Sequence, residues 1–424
     1  MQTYEEMWRN LGLNLDAHEG LLKALSGFYS SIYASQKNRP NAMKYFDFVI
    51  SEVHGLRIKE LQEAKAQGKK VIGTFCVFVP EELILAADGV CIGLCAGAEA
   101  GFELAEQYLP KNTCGLIKSF FGFKLARLCP YANSCDLVVG ETTCDGKKKA
   151  YELFNEFQPV HVMEVPQTKS ENAKSLFHSE VMRFKERLEA LTGTKITAER
   201  LQKTIQIVNN KRRALNRLNE LRAAPIPPIS GLDSLLINQI AFYDDPVRFT
   251  NAVNELCDEL EERIKNNVGV ARGDTVRILM SGCPMAIPNW KIPAIVEGTE
   301  AVIVGEESCV GVRNTRNTVA EGCKDVNEML KAITERYFQI DCATFTPNTE
   351  RLNHIVEMAE TLKANGVIHY AIQFCQPYTI ESKRVEDMLA SKGIPLLRLE
   401  TDYSMQDVEA LKTRIEAFKE LISP

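Results

Sequence analysis

From residue 70 onward the chain alternates short apolar runs with longer amphipathic stretches. Val71 to Phe75 (VIGTF), Val90 to Leu94, Leu137 to Val139 and His161 to Val165 (HVMEV) are too short for helices and largely apolar, as buried strands are. Helical patterns stand between them. One starts at Pro80 (PEELILAA), with Pro and two Glu in its first turn, and another at Lys147 (KKKAYELFNEF). The same grammar returns at Val276 to Met280 (VRILM), Ala301 to Val304 (AVIV), Val367 to Ile372 (VIHYAI) and Leu396 to Leu399, with helices from Thr379 and from Met405 to Leu421. Strands alternating with helices predict an α/β fold of two doubly wound (Rossmann/flavodoxin-like) lobes with mainly parallel sheets.

The flanks are helical. Met43 to Gln67 carries apolar residues at helical spacing and ends in Gly68, a plausible C-cap; residues 167 to 266 read as long helices broken at Pro225 to Pro228 (PIPP). The division expected is a helical segment over 1–68, a first α/β lobe over 69–166, a helical bridge over 167–270 and a second α/β lobe with a C-terminal helix over 271–424. The charge-rich bridge, with Lys211 to Arg213 (KRR) inside it, reads as solvated.

Composition narrows the class. Apolar residues make up 45% and charged residues 25% of 424, as in ordinary globular proteins. No apolar run reaches the roughly 20 residues that span a bilayer, and the opening MQTYEEMWRNL has neither a basic nor an apolar leader region, so a soluble, cytoplasmic protein without a membrane partner is expected. A net charge of −6 with no concentrated basic face argues against nucleic acid. Thirteen cysteines change the picture. In a reducing compartment they serve packing, catalysis or metal ligation rather than a disulfide framework. No C-x-x-C occurs, so any metal site has to be assembled from distant segments.

Placement separates these cysteines. Cys76, Cys144, Cys309 and Cys375 each follow an apolar strand, where an open α/β sheet delivers side chains to its ligand-binding edge. Cys144, in DLVVGETTCDGKKK, stands at a strand-to-helix turn where free amide groups should favour its thiolate. Cys114 and Cys129 lie in loop-like or helix-edge contexts that can reach the same edge. Cys257, inside ELCDELEERI, reads as packing, and Cys91 and Cys95 as one face of a strand in the core. Cys283 also ends a strand and is a borderline case; Cys135, Cys323 and Cys342 have no distinctive placement. Neither G-x-x-x-x-G-K-[ST] nor a G-x-G-x-x-G after a strand is present, and G-x-S-x-G and H-E-x-x-H are missing too, so the chain has no phosphate cradle, nucleophile elbow or zinc-protease helix. His161 and His369 read as core histidines.

Taken together, GTFCVFVPEELILAA, CGLIKSFFGF, DLVVGETTCDGKKK, GEESCVG, QFCQPYTIE and LETDYS resemble the 2-hydroxyacyl-CoA dehydratase and benzoyl-CoA reductase family of iron-sulfur proteins, most closely its double-cubane cluster branch. The motifs run from about residue 70 to 403. The resemblance implies an iron-sulfur cofactor of the [8Fe-9S] double-cubane type, two [4Fe-4S] cubanes joined by a sulfide. It implies cysteine ligands at Cys76, Cys144 and Cys375, as in the single-cubane dehydratases, and at Cys114, Cys129 and Cys309. It further implies electrons from an ATP-hydrolysing [4Fe-4S] activator, reduction of small molecules of the acetylene, hydrazine or azide type, and a homodimer.

Three other readings stand beside this one: a subunit of an (R)-2-hydroxyacyl-CoA dehydratase with one [4Fe-4S] cluster, an electron carrier without catalysis, and an α/β protein with buried thiols. No catalytic residue is assigned; Glu141, Lys118 and Tyr378 are the nearest polar candidates by sequence for a general acid.

Overall fold

The computed structural model describes residues 3–423. Two four-stranded parallel sheets form its frame. The first holds β1 (Val71–Thr74), β2 (Val90–Gly93), β3 (Leu137–Glu141) and β4 (Val160–Met163) in the order β2-β1-β3-β4. The second holds β5 (Arg277–Gly282), β6 (Val302–Glu307), β7 (Gly366–Ile372) and β8 (Leu396–Thr401) in the order β6-β5-β7-β8. Each sheet reverses direction next to its first strand. A doubly wound sheet opens its ligand crevice at that reversal, beyond the carboxyl ends of the strands.

All eight expected strands are present. Several run further than the apolar runs: β3 continues to Glu141, β6 to Glu307 and β8 to Thr401. Their polar last residues stay in register, Glu141 beside Met163, Ser281 beside Glu307 and Ile372 beside Thr401, because ladder hydrogen bonds need only backbone.

The N-terminal stretch breaks where one helix was expected. Helices Met43–Ser51 and Leu56–Ala66 are separated at Gly55, where a Cβ would lie 2.4 Å from the Glu52 carboxylate and 2.7 Å from the Tyr4 ring.

The bridge, read as solvated, is in its central part interior. Helix Gly231–Ile240 is buried at every position, and in helix Ala198–Leu221 Lys211 and Arg212 are buried too. Arg212 Nη1 lies 2.6 Å from Glu82 Oε1, Tyr337 donates to the other oxygen at 2.7 Å, and Lys211 pairs with Glu81. The charges that sequence assigned to water therefore meet the acidic first turn of the helix after β1. Only Arg213 of the three stays exposed, paired with Glu321. One continuous apolar core joins strand residues of both lobes to the bridge and the N-terminal helices. No helix among the described residues is long and apolar enough to cross a membrane.

Candidate functional site

The carboxyl ends of both sheets open onto one cavity of about 1360 Å³. Nine of the thirteen cysteines line it: Cys76, Cys95, Cys114, Cys129, Cys144, Cys283, Cys309, Cys342 and Cys375. All six cysteines singled out above are among them, three more join, and Cys91, Cys135, Cys257 and Cys323 stand outside. Cys95 is thus a correction, since it leaves the core position read for it and faces the chamber. Cys257 packs between helices, as expected, 3.9 Å from the Ala214 carbonyl.

Local structure explains how the thiols arrive. Cys76 leaves the end of β1 and Cys309 the end of β6. Cys114, Cys129, Cys144 and Cys375 are each the residue that opens a helix, before Gly115–Leu125, Pro130–Ser134, Asp145–Phe154 and Gln376–Ser391. A helix start turns free amide groups toward its first side chain. At Cys144 the sulfur accepts the Lys147 N–H at 3.4 Å. Burial raises the Cys144 and Cys129 thiols, and the amides of Lys147 and Gly146, or of Ala132 and Tyr131, act in the opposite sense. Helix Gln376–Ser391 begins three residues before the expected Thr379, and Phe374 ahead of it takes a left-handed backbone, φ +67°.

The thiols fall into neighbourhoods. Cys76 interacts directly with Cys309, which also has Cys342 and Cys95 nearby. Cys375 touches both Cys114 and Cys283, and Cys114 adjoins Cys144. Cys129 lines the cavity, with Cys135 and Lys124 as its charged or thiol neighbours. Helix Leu15–Ile32 contributes Leu21, Leu25 and Phe28 to the cavity wall.

Cys309 differs from the rest electrostatically. Its pairing with the Cys76 thiol and the adjacent Arg313 guanidinium hold it below the usual thiol range, while the same pairing and burial push Cys76 up. Arg313 Nη1 lies 3.4 Å from the Cys309 sulfur. The guanidinium is fixed from behind by Glu307 at 2.6 Å, and Glu307 also accepts from Ser281 at 2.8 Å and Arg351 at 3.0 Å. Arg313 contacts the Tyr378 hydroxyl, and Arg351 pairs with Glu381.

The polar candidates divide. Tyr378 lines the chamber, 3.9 Å from the Cys342 sulfur. Glu141 sits behind the wall, paired with buried Lys147, and one carboxylate oxygen has no hydrogen-bond partner. Of the lysine run, Lys147 is buried and Lys148 and Lys149 are exposed. Lys118 turns away to Glu106 at 3.0 Å and the Lys111 carbonyl at 3.1 Å. His161 and His369 are buried as expected, although one ring nitrogen of each lacks a partner.

This donor set is rich in soft sulfur and poor in imidazole, the set that iron-sulfur clusters use. Among the described residues no three His, Cys, Asp or Glu side chains converge as ligands of a single ion do. Dispersal around a chamber suits a multi-iron group, in which each thiolate takes a different iron.

Residues 76–422 match the family model described as 2-hydroxyglutaryl-CoA dehydratase, D-component. The chain belongs to this family. It is 35% identical over 378 residues to YjiM of Escherichia coli (strain K12), provisionally named a dehydratase subunit, covering 88% of this chain and 96% of that one. Identity to the (R)-phenyllactyl-CoA dehydratase beta subunit of Clostridium sporogenes is 26%, over 90% of this chain and all of the relative, 100%. A benzoyl-CoA reductase subunit of Thauera aromatica is 21% identical, with 84% and 91% covered. The family thus takes in subunits of dehydratases and of a reductase.

Sequence reasoning missed Cys95, Cys342 and Arg313. Cys283 carried a usable signal, the end of β5, but Cys342 lies in the connection after helix Val326–Phe338, where no strand announces it.

Proposed function

We propose that this protein is an iron-sulfur reductase that holds a double-cubane [8Fe-9S] cluster through Cys76, Cys114, Cys129, Cys144, Cys309 and Cys375 and reduces small molecules. The observation that carries the reading is that all six thiols, from both halves of the chain, border one chamber. When bound, such a cluster supplies low-potential electrons, stored and passed on one at a time. The chain's own residues hold it, exclude bulk water with apolar lining such as Leu21, Leu25 and Phe28, and present Tyr378 as a hydroxyl at the wall.

Substrate size follows from the lining charges. The cations on the wall are Lys147, Lys291 and Arg384, and the first two are already paired, with Glu141 and with Asp407 at 2.8 Å. One unpaired cation among the described lining residues is a poor match for the several phosphate charges of a coenzyme A ester, and suits a small substrate of low charge. In this reading a separate ATP-hydrolysing [4Fe-4S] activator delivers the electrons, since the chain lacks a phosphate loop. The protein is then a cytoplasmic homodimer with one complete cluster per subunit.

The dehydratase reading is favoured by the names of the relatives, and predicts one [4Fe-4S] cluster and an unlike partner subunit. Anaerobic purification with iron and sulfide analysis decides. About eight irons per chain supports the double cubane, about four the dehydratase type, and none overturns both. Cys129→Ser and Cys309→Ser should each lower the count, whereas Cys257→Ser should not. Unchanged iron removes the substituted residue from the ligand set.

A further inference from the structure

The charged cluster behind Cys309 is far more than packing requires. Arg313, Glu307, Arg351 and Ser281 are all buried, and they come from three separate parts of the fold: the end of β6 with the segment after it, the end of β5, and helix Thr349–Thr361. Burying two guanidinium groups and their carboxylates costs several kcal/mol per ion unless the geometry compensates, and stability alone is served as well by apolar residues. The arrangement is instead directional. Glu307 grips Arg313 through Nε at 3.0 Å and Nη2 at 2.6 Å, which leaves Nη1 for two chamber-lining side chains: it lies 3.4 Å from the Cys309 sulfur and donates to the Tyr378 hydroxyl. Glu381, on the helix that Cys375 opens, anchors Arg351, so the network also ties the Cys309 segment to the Cys375 helix.

We infer that Arg313 is a positioning residue that fixes the Cys309 sulfur and sets the reduction potential of the group this thiolate binds, by placing one fixed positive charge against it. The inference rests on the proposed iron-sulfur function. A cation beside a ligating sulfur stabilises the more negative, reduced state of the bound group, so it raises the potential. Carboxylates close by act in the opposite sense, and Glu307 holds the balance. On the cavity wall near Cys76, Cys309 and Cys342 the cation is Lys147, which is occupied by Glu141. Arg313 is therefore the group through which sequence can tune this end of the chamber.

Two substitutions with opposite expected signs test this. Arg313→Gln removes the charge and keeps a hydrogen-bond donor; Glu307→Gln removes the opposing charge and keeps the shape. Both are prepared anaerobically with wild type, and iron per chain and the midpoint potential are measured by dye-mediated titration followed by electron paramagnetic resonance. At the wild-type midpoint, Arg313→Gln should lower the reduced-to-oxidised ratio about tenfold, which corresponds to about 1.4 kcal/mol, and Glu307→Gln should raise it. A merely structural brace would change iron content or stability and leave the potential of loaded protein unmoved. Wild-type potential in a fully loaded Arg313→Gln overturns the inference. Should that variant fail to fold or load, Glu307→Gln decides alone, and a lower or unchanged ratio there is equally fatal. Absence of iron from wild type would instead defeat the functional reading beneath it.

Discussion

Replacing Arg222 by Met tests whether the bridge helices lock onto the second sheet through charge. Arg222 ends helix Ala198–Leu221 and is 1% exposed, and its partner Glu306, near the end of β6, is 2% exposed. The pair is bidentate, 2.5 and 2.7 Å, and the guanidinium also donates to Ser234 Oγ at 2.8 Å and the Ile303 carbonyl at 2.9 Å. Met fills much of the volume but leaves a carboxylate in the interior without its counter-charge. Breaking a buried pair from one side costs about 3–5 kcal/mol. Replacing both partners, Arg222→Met with Glu306→Leu, removes the stranded charge and should return stability to within about 1 kcal/mol of wild type. Urea denaturation of the apo chain reads both, with the buried Trp290 as fluorophore. The reasoning is refuted if the single change costs under about 1 kcal/mol, or if the double variant is as unstable as the single.

Two further outcomes are expected. His18 and His54 contact through ring nitrogens at 2.9 Å, and burial pushes them down to about 4 and about 3. Both must fold neutral, so their contribution is fully present above the ordinary histidine value of about 6.5 and declines as pH falls below it, by about 1 kcal/mol per histidine between pH 6.5 and 5.5. Urea midpoints at the two pH values should fall accordingly, and His18→Gln should flatten the slope; an equal slope in that variant contradicts the assignment. Gly282→Ala should destabilise by about 2 kcal/mol or more, because φ is +119° and a Cβ would stand 2.0 Å from the Tyr370 carbonyl oxygen, at the turn that delivers Cys283. A thermal midpoint equal to wild type would refute that.

The strands were legible because parallel strands are buried on both faces and leave short apolar runs, as VIV does in β6 and ILM in β5. Their ends were not, since Glu141, Glu307 and Thr401 look like loop residues and become strand only through a neighbouring backbone. Four cysteines announced themselves by following strands. Cys342 could not, and Arg212 looked solvated because its partners, Glu82 and Tyr337, are 130 and 125 residues away. Contacts at that range are set by packing of the lobes, for which the local pattern holds no signal. The same limit hid Arg313, whose meaning lies less in its neighbours along the chain than in the sulfur it faces.

The division of the chamber between two halves of the polypeptide has a consequence for biosynthesis. Cys144 leaves the ribosome 231 residues before Cys375, on the order of ten to fifty seconds at ordinary elongation rates. Through that interval the early thiols have no wall opposite them. Under the proposed function, the two sets of ligands can meet around one inorganic group only after Cys375 has been made.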